Sequence, residues 1–303
     1  MRNLLLHAKK LSVTAAASLV LIFAGKAQET VLTHVGLLPA PLEESSGLIF
    51  TPRGLFSLAD DMRPEVFILD PASALIVQTV TVKDLKFKDK EALTADDEYL
   101  YIGDFGNNDG DRKDLKIVKV KLDDIGTDAR TEVSGSVIAF HYPEQTDFNM
   151  KKKENDFDCE AMVAFGDSLY LFTKQRSDHR TTLYALPKTP GEYPAKKRGV
   201  FDSQGRVTDA ALSPDGKTLL LLGYQKKHQF PFVWKITDFE DADFFSGRAD
   251  YDLLSKFPVD WQTEGLAFKD NEVIFFSCEG SDDVKAGLYR AALKDLTDDG
   301  KGE

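Results

Sequence analysis

An acidic residue followed by a small one and an apolar one recurs along this chain. The copies are Glu91-Ala92-Leu93, Glu160-Ala161-Met162, Asp209-Ala210-Ala211 and Glu264-Gly265-Leu266, with a degenerate one at Ser46-Gly47-Leu48. From 12 to 14 residues after each small residue, an apolar run ends on a polar side chain: Asp60, Asp104, Lys174, Tyr224 and Glu279. Two marks recurring in step describe one supersecondary unit repeated about five times. The five motif positions, Ser46 included, are 45, 69, 49 and 55 residues apart. That is room for one four-stranded sheet per repeat, with a long insertion in the second.

Between the marks lie short runs rich in Val, Ile, Leu, Phe and Tyr, bounded by Gly, Pro, Asn and Asp. Leu55 to Ala59, Val66 to Leu69, Ala74 to Val82, Tyr99 to Gly103, Leu115 to Val120 and Val137 to Tyr142 are strand-length. No helical period of adequate length survives beyond the first residues, so the chain reads as all-β. A β-propeller of four-stranded blades is expected, with five blades as the first count and six as the alternative. The fifth repeat shows only three strands, so the segment Val31 to Leu38 is expected to complete it and close the ring. A two-sheet sandwich is the rival, but it does not require an acidic residue at one phase of every repeat. Ser213-Pro214-Asp215-Gly216 fits a tight turn between the first two strands of the fourth blade.

Arg2, Lys9 and Lys10 precede a largely apolar stretch, Leu11 to Phe23, and Gly25-Lys26-Ala27 then offers small residues to a signal peptidase. Residues 1–27 are therefore expected to be a signal peptide and 28–303 a single propeller domain, exported to the periplasm or beyond. The apolar stretch is shorter than the roughly 18 residues that read as a membrane span, so no stable insertion is expected. The net charge of -12 falls to about -16 without the four cations of that segment. Such a surface disfavours nucleic acid and favours cations. Cys159 and Cys278 belong to the third and fifth repeats, which are not neighbours in a ring, and this argues against a bridge between them.

In a four-stranded blade the start of the innermost strand and the end of the second lie on one face of the disc. Both sets of marks should then converge on one mouth of the channel. Glu91, Glu160, Asp209 and Glu264 are the expected inner ring and candidate metal ligands, with Ser46 in the first blade's slot. Glu44, Asp89 and Asp158 lie just upstream. Asp60, Asp104, Asn107, Asn108, Lys174, Arg176 and Glu279 are the candidate ligand-binding residues around them, with Asp61 alongside.

Several carboxylates around one narrow axis oppose one another's ionisation, and a hard cation with six to eight oxygen ligands relieves the conflict. Calcium is the first choice. The five histidines, His7, His34, His141, His179 and His228, are scattered and none falls on the motif, so an imidazole-bound metal is disfavoured. The same carboxylates have a second reading, in which they accept backbone N–H groups and lock adjacent blades. Lys174 and Arg176 could likewise neutralise Glu160 and Asp158. The stretch Asp104 to Arg112 fails as an EF-hand loop, because with Gly110 at the sixth position Phe105 and Lys116 occupy essential ligand places.

No G-x-S-x-G elbow, P-loop or H-E-x-x-H is present. Three readings stay open. The first is a monomeric calcium-binding propeller that recognises a small or polymeric ligand at an acidic mouth. The second is a calcium-dependent hydrolase of a phosphoester, ester or lactone. The third is a metal-free structural or protein-binding propeller.

Three segments carry a resemblance: Glu44-Ser45-Ser46-Gly47-Leu48; Tyr101-Ile102-Gly103-Asp104-Phe105-Gly106-Asn107-Asn108 with Arg112 and Leu115; and Asp158-Cys159-Glu160-Ala161-Met162. Together they resemble an uncharacterised group of exported propellers of Bacteroidetes-type bacteria and, more distantly, the SdiA-regulated and esterase-like phytase propellers. The resemblance implies a propeller fold and, by analogy with gluconolactonases and paraoxonases, an axial calcium site. It carries over no catalytic residue.

Overall fold

The computed structural model describes residues 32–149, 151, 154–225, 229–254, 261–282 and 284–296. The expected signal peptide, and with it His7, lies outside the described residues, as do Val31 and His228. No helix among the described residues is long and apolar enough to cross a membrane.

Among the described residues the strands fall into five four-stranded antiparallel units, two of them joined edge to edge in one larger sheet. The first holds Ser45–Thr51, Gly54–Ala59, Glu65–Leu69 and Ile76–Lys83, and the second Lys90–Ala95, Tyr99–Asp104, Lys116–Lys121 and Arg130–His141. The third holds Cys159–Phe165, Ser168–Thr173, Thr181–Pro187 and Lys196–Phe201, and the fourth Arg206–Leu212, Leu219–Gln225, Gln229–Thr237 and Arg248–Leu253. The fifth holds Thr263–Phe268, Val273–Cys278 and Gly287–Ala292, completed by Thr33–Leu37 pairing antiparallel with Gly287–Ala292. The five innermost strands touch in a closed cycle, first to second and onward until the fifth meets the first. This is a β-propeller, with the two ends of the chain joined in one sheet as the sequence requires.

Alternation along each strand builds the core. In a β-strand successive side chains point to opposite faces, so a strand buried on both faces is apolar throughout. Leu219 and Leu221 pack into the core between the third and fourth units, while Leu220 and Leu222 pack into the core between the fourth and fifth. Every neighbouring pair of units is joined by such a cluster, and the pair formed by the fifth and first packs Leu288 and Phe275 on Leu48 and Phe67.

The second unit's outer strand accounts for part of the 69-residue spacing. It is 12 residues long, and its first half pairs parallel with Ile76–Lys83 of the first unit. Its second half pairs parallel with Gly191–Pro194, a short strand of the third unit that the sequence did not announce. These pairings cover edges that would otherwise present free N–H and C=O groups. Ser213-Pro214-Asp215-Gly216 is the expected turn, with Gly216 at φ 70° and its N–H on the Ser213 carbonyl. Cys159 and Cys278 are both buried and unbridged.

Candidate functional site

Each innermost strand carries one extra residue near its start, which breaks the pairing register with the second strand. In the second unit Lys90 faces Asp104 and Ala92 faces Gly103, leaving Glu91 unpaired. The same break leaves Glu160 unpaired in the third unit and Glu264 in the fifth. A bulge of this kind redirects the side chain of the extra residue. All three glutamates are buried and line one cavity of about 280 Å³.

In the first and fourth units the extra residue is Gly47 and Thr208, not Ser46 and Asp209. The motif therefore misplaces two of its five slots by one residue, and a one-residue slip turns a side chain to the other face. Gly47 takes φ 74°, the left-handed region that suits glycine in a bulge. Ser46 turns to the neighbouring strand instead, donating from its hydroxyl to the Glu91 carbonyl at 2.7 Å. Thr208 donates to the Thr263 carbonyl at 2.6 Å.

Asp209 is outside the cavity lining. Its Oδ2 accepts the backbone N–H of Leu266 at 2.6 Å and that of Leu48 at 3.4 Å, and its Oδ1 accepts the N–H of Ala210 at 2.8 Å. One carboxylate thus ties the first, fourth and fifth units together. Burial pushes its pKa up against the pull of these donors.

The second set of marks divides in the same way. Lys174 and Glu279 line the cavity with Tyr224, each following the second-strand residue that faces the position just before the bulge. Asp60 reaches the cavity from one residue further on. Asp104 is one residue early and turns away. It is 0% exposed, paired with Lys116 at 2.6 Å and Arg112 at 3.0 Å, and accepts the N–H groups of Lys88 and Asp89. Asn107 also stands outside the lining, with its amide oxygen on the Arg112 N–H and its own N–H on Asp158. Asn108 lines the cavity and accepts from Arg176. Asp61 faces Lys90 at 3.3 Å.

Two ion pairs lie in or against the cavity wall. Lys174 Nζ is 2.8 Å from Glu160 Oε2, and Arg176 is 2.7 Å from Asp158. Burial works against the Lys174 ammonium, but Glu160, Tyr224 and Glu264 around it hold its pKa well above the usual lysine value.

Asp89 is the upstream acid that matters most. Asp60, Asp89 and Glu91 each bring a carboxylate oxygen to one place, all within 4.8 Å of one another. Burial, then Asp89 beside it, lifts the Asp60 pKa to about 9. Glu91 is raised by burial and then by Glu160, Asp60 and Asp89. Glu279, half-buried and beside Glu264, also rises to about 9. The backbone presses against this cluster at Gly106: a Cβ there would stand 2.6 Å from Glu91 Oε1 and closer still to Asp89. Arg112 holds the loop in place by donating to the carbonyls of Gly106 at 2.7 Å and Asp104 at 3.2 Å.

Arg206 and Gln262 complete the lining, and the motif did not point to them. Both lie two residues before a bulged position, as Asp89 and Asp158 do, so a repeat phase taken two residues upstream finds them.

No family model matches this chain, and neither does any curated protein. Among solved structures it is similar to the glutaminyl cyclase of Myxococcus xanthus, at 9% identity over 88% of this chain and 98% of that one, with a TM-score of 0.50. It also matches the hydrazine synthase of Kuenenia stuttgartiensis at 14% identity, a TM-score of 0.40 and 82% of this chain. The Dos1 propeller matches at 12% identity, a TM-score of 0.40 and 77% of this chain. The chain spans 59% of that hydrazine synthase chain and 52% of the Dos1 chain. At such identities what is shared is the fold, a β-propeller.

Proposed function

We propose that the protein is an exported ligand-binding propeller whose site is this acidic cavity, with a hard divalent cation, calcium first, held by Asp60, Asp89 and Glu91. The observation that carries the reading is the convergence of those three carboxylates within 4.8 Å. Calcium takes six to eight oxygen ligands, and three carboxylates with carbonyls or water suit it better than they suit softer metals. Of the four ligands expected from the motif, only Glu91 belongs to this group: Asp209 serves the backbone, Glu160 faces Lys174, and Glu264 lies outside the cluster. The cavity, at about 280 Å³, suits a small ligand rather than a polymer.

Calorimetric titration and thermal unfolding with calcium and with EDTA test this. The expected outcome is a single site with Kd of about 10⁻⁴–10⁻³ M, the range of extracellular calcium modules, lost in Asp60→Asn and Glu91→Gln. An unfolding temperature that does not move across a wide calcium range sinks the cation.

A second reading rests on Asp60. In the metal-free cavity its pKa near 9 leaves a proton on it at neutral pH beside Asp89, an arrangement suited to general acid–base work. Turnover of a phosphoester, aryl ester or lactone that disappears in Asp60→Asn, with a pH–rate profile that moves in Asp60→Glu, favours the hydrolase. Saturable binding without turnover favours the receptor.

A further inference from the structure

The fifth unit's side of the cavity has an acceptor that the fold supplies poorly. Glu264 is 2% exposed and lines the cavity; Lys174 and Gln262 lie near enough to act on it, yet neither of its oxygens meets full hydrogen-bond geometry with a described residue. Glu160 Oε1 is unpartnered as well, its other oxygen facing Lys174. A buried carboxylate short of well-aligned donors is costly, so the wall has capacity for donors that come from outside the fold.

A second metal ion does not meet this need. Among the described residues, the groups that bring three ligand atoms within reach of one ion are confined to Asp60, Asp89 and Glu91. Glu264 is not part of such a cage. The visitor must bring its own donors on a larger body.

Charge narrows the choice. Five carboxylates line the cavity, namely Asp60, Glu91, Glu160, Glu264 and Glu279, against Lys174, Arg176 and Arg206. Lys174 answers Glu160, and Arg176 answers Asp158 behind the wall. The other four acids are left with Arg206 and a share of Lys174, and Asp60 and Glu279 meet the shortage by holding protons at neutral pH. A sugar-like polyol would supply hydroxyl donors but no positive charge to keep these acids ionised. A primary ammonium supplies three N–H donors and a positive charge together. The Tyr224 ring on the same lining already has the Lys174 ammonium 5.7 Å from its centroid, and an aromatic face of this kind favours cations.

We propose that Glu264, with Glu279 on the same wall, binds the primary ammonium group of a small organic ligand in this cavity. The inference rests on the cavity being the functional site but is independent of the calcium cluster, since it uses different carboxylates.

The test is thermal unfolding of the full chain at fixed calcium, in ethylammonium chloride and in tetramethylammonium chloride at equal ionic strength. The two cations carry the same charge, but tetramethylammonium has no N–H donor. Ethylammonium is expected to raise the midpoint by about 3 °C over the tetramethylammonium control. Glu264→Gln should abolish that difference while keeping the calcium shift, and Glu91→Gln should keep the difference while losing the calcium shift. Equal midpoints in the two salts for the wild type, or a difference that survives Glu264→Gln, overturns the proposal. A shift with glucose that is lost in Glu264→Gln overturns it in favour of a polyol. A missing calcium shift with the ammonium difference intact removes the metal reading alone.

Discussion

Lys174 Nζ lies 2.8 Å from Glu160 Oε2, with both side chains almost wholly buried at the mouth of the channel. Removing one member of a buried pair leaves the other charge uncompensated, which costs about 3–5 kcal/mol. Lys174→Met should therefore destabilise the fold by about that amount in urea unfolding at neutral pH. Adding Glu160→Gln should recover most of the loss, because the stranded charge is gone. The penalty should also shrink in acid, where Glu160 takes up a proton. An additive double mutant would show that the pair is not coupled.

The Asp209 carboxylate is a structural tie rather than a ligand in waiting. Asp209→Ala leaves the N–H groups of Leu266 and Ala210 without their acceptor, and each unmet buried donor costs about 1–3 kcal/mol. Unfolding should move to lower urea while the calcium titration of the folded protein stays as in the wild type. A variant that folds normally but no longer responds to calcium would return Asp209 to the metal site.

How much of this was legible in the sequence depends on the pleat. Glu91, Glu160 and Glu264 stood out because the acid is itself the bulged residue in those units. Asp209 carries the same local motif but lies one residue past the bulge, so its side chain leaves the mouth. A motif records which residues are adjacent, whereas a bulge is settled by how the neighbouring strand pairs, and that is not written in three letters. Asp104 fails for the same reason, one residue short of the turn toward the cavity. The Gly-Asp-Phe-Gly-Asn-Asn stretch was readable as something other than an EF-hand loop. That its second glycine rests against Asp89 and Glu91 needed the tertiary fold. Closure by the N-terminal strand was readable because the last repeat lacked a strand.

The raised carboxyls set the pH dependence of the metal-free protein. Asp60 rises from 3.8 to about 9 and Glu279 from 4.5 to about 9. Between those values the folded state binds more protons than the unfolded one, so stability falls as pH rises. The contribution is complete below pH about 4, declines through neutrality and is gone above pH about 9. A divalent cation replaces the proton on Asp60, so calcium should stabilise more at pH 8 than at pH 5. Thermal unfolding in EDTA and in calcium across this range checks both slopes. A metal-free protein that grows more stable from pH 5 to pH 8 contradicts the assignment.

Gly106 offers a test of the cluster that leaves every acid in place. A methyl group at this position would lie 2.6 Å from Glu91 Oε1 and closer to Asp89, and Glu91, being buried, has little room to retreat, while Asp89, half-buried, is pushed away from the other two acids. The loop cannot yield easily either, since Arg112 holds the Gly106 carbonyl at 2.7 Å and the Gly106 N–H is bound to the Asp89 carbonyl at 3.2 Å. Overpacking of this kind costs about 1–3 kcal/mol. Gly106→Ala should lower the urea midpoint accordingly and weaken calcium binding, because the displaced oxygens no longer converge. The ethylammonium difference, which uses Glu264, should persist in the folded fraction. If Gly106→Ala binds calcium as the wild type does, the cation is not held where Asp60, Asp89 and Glu91 meet.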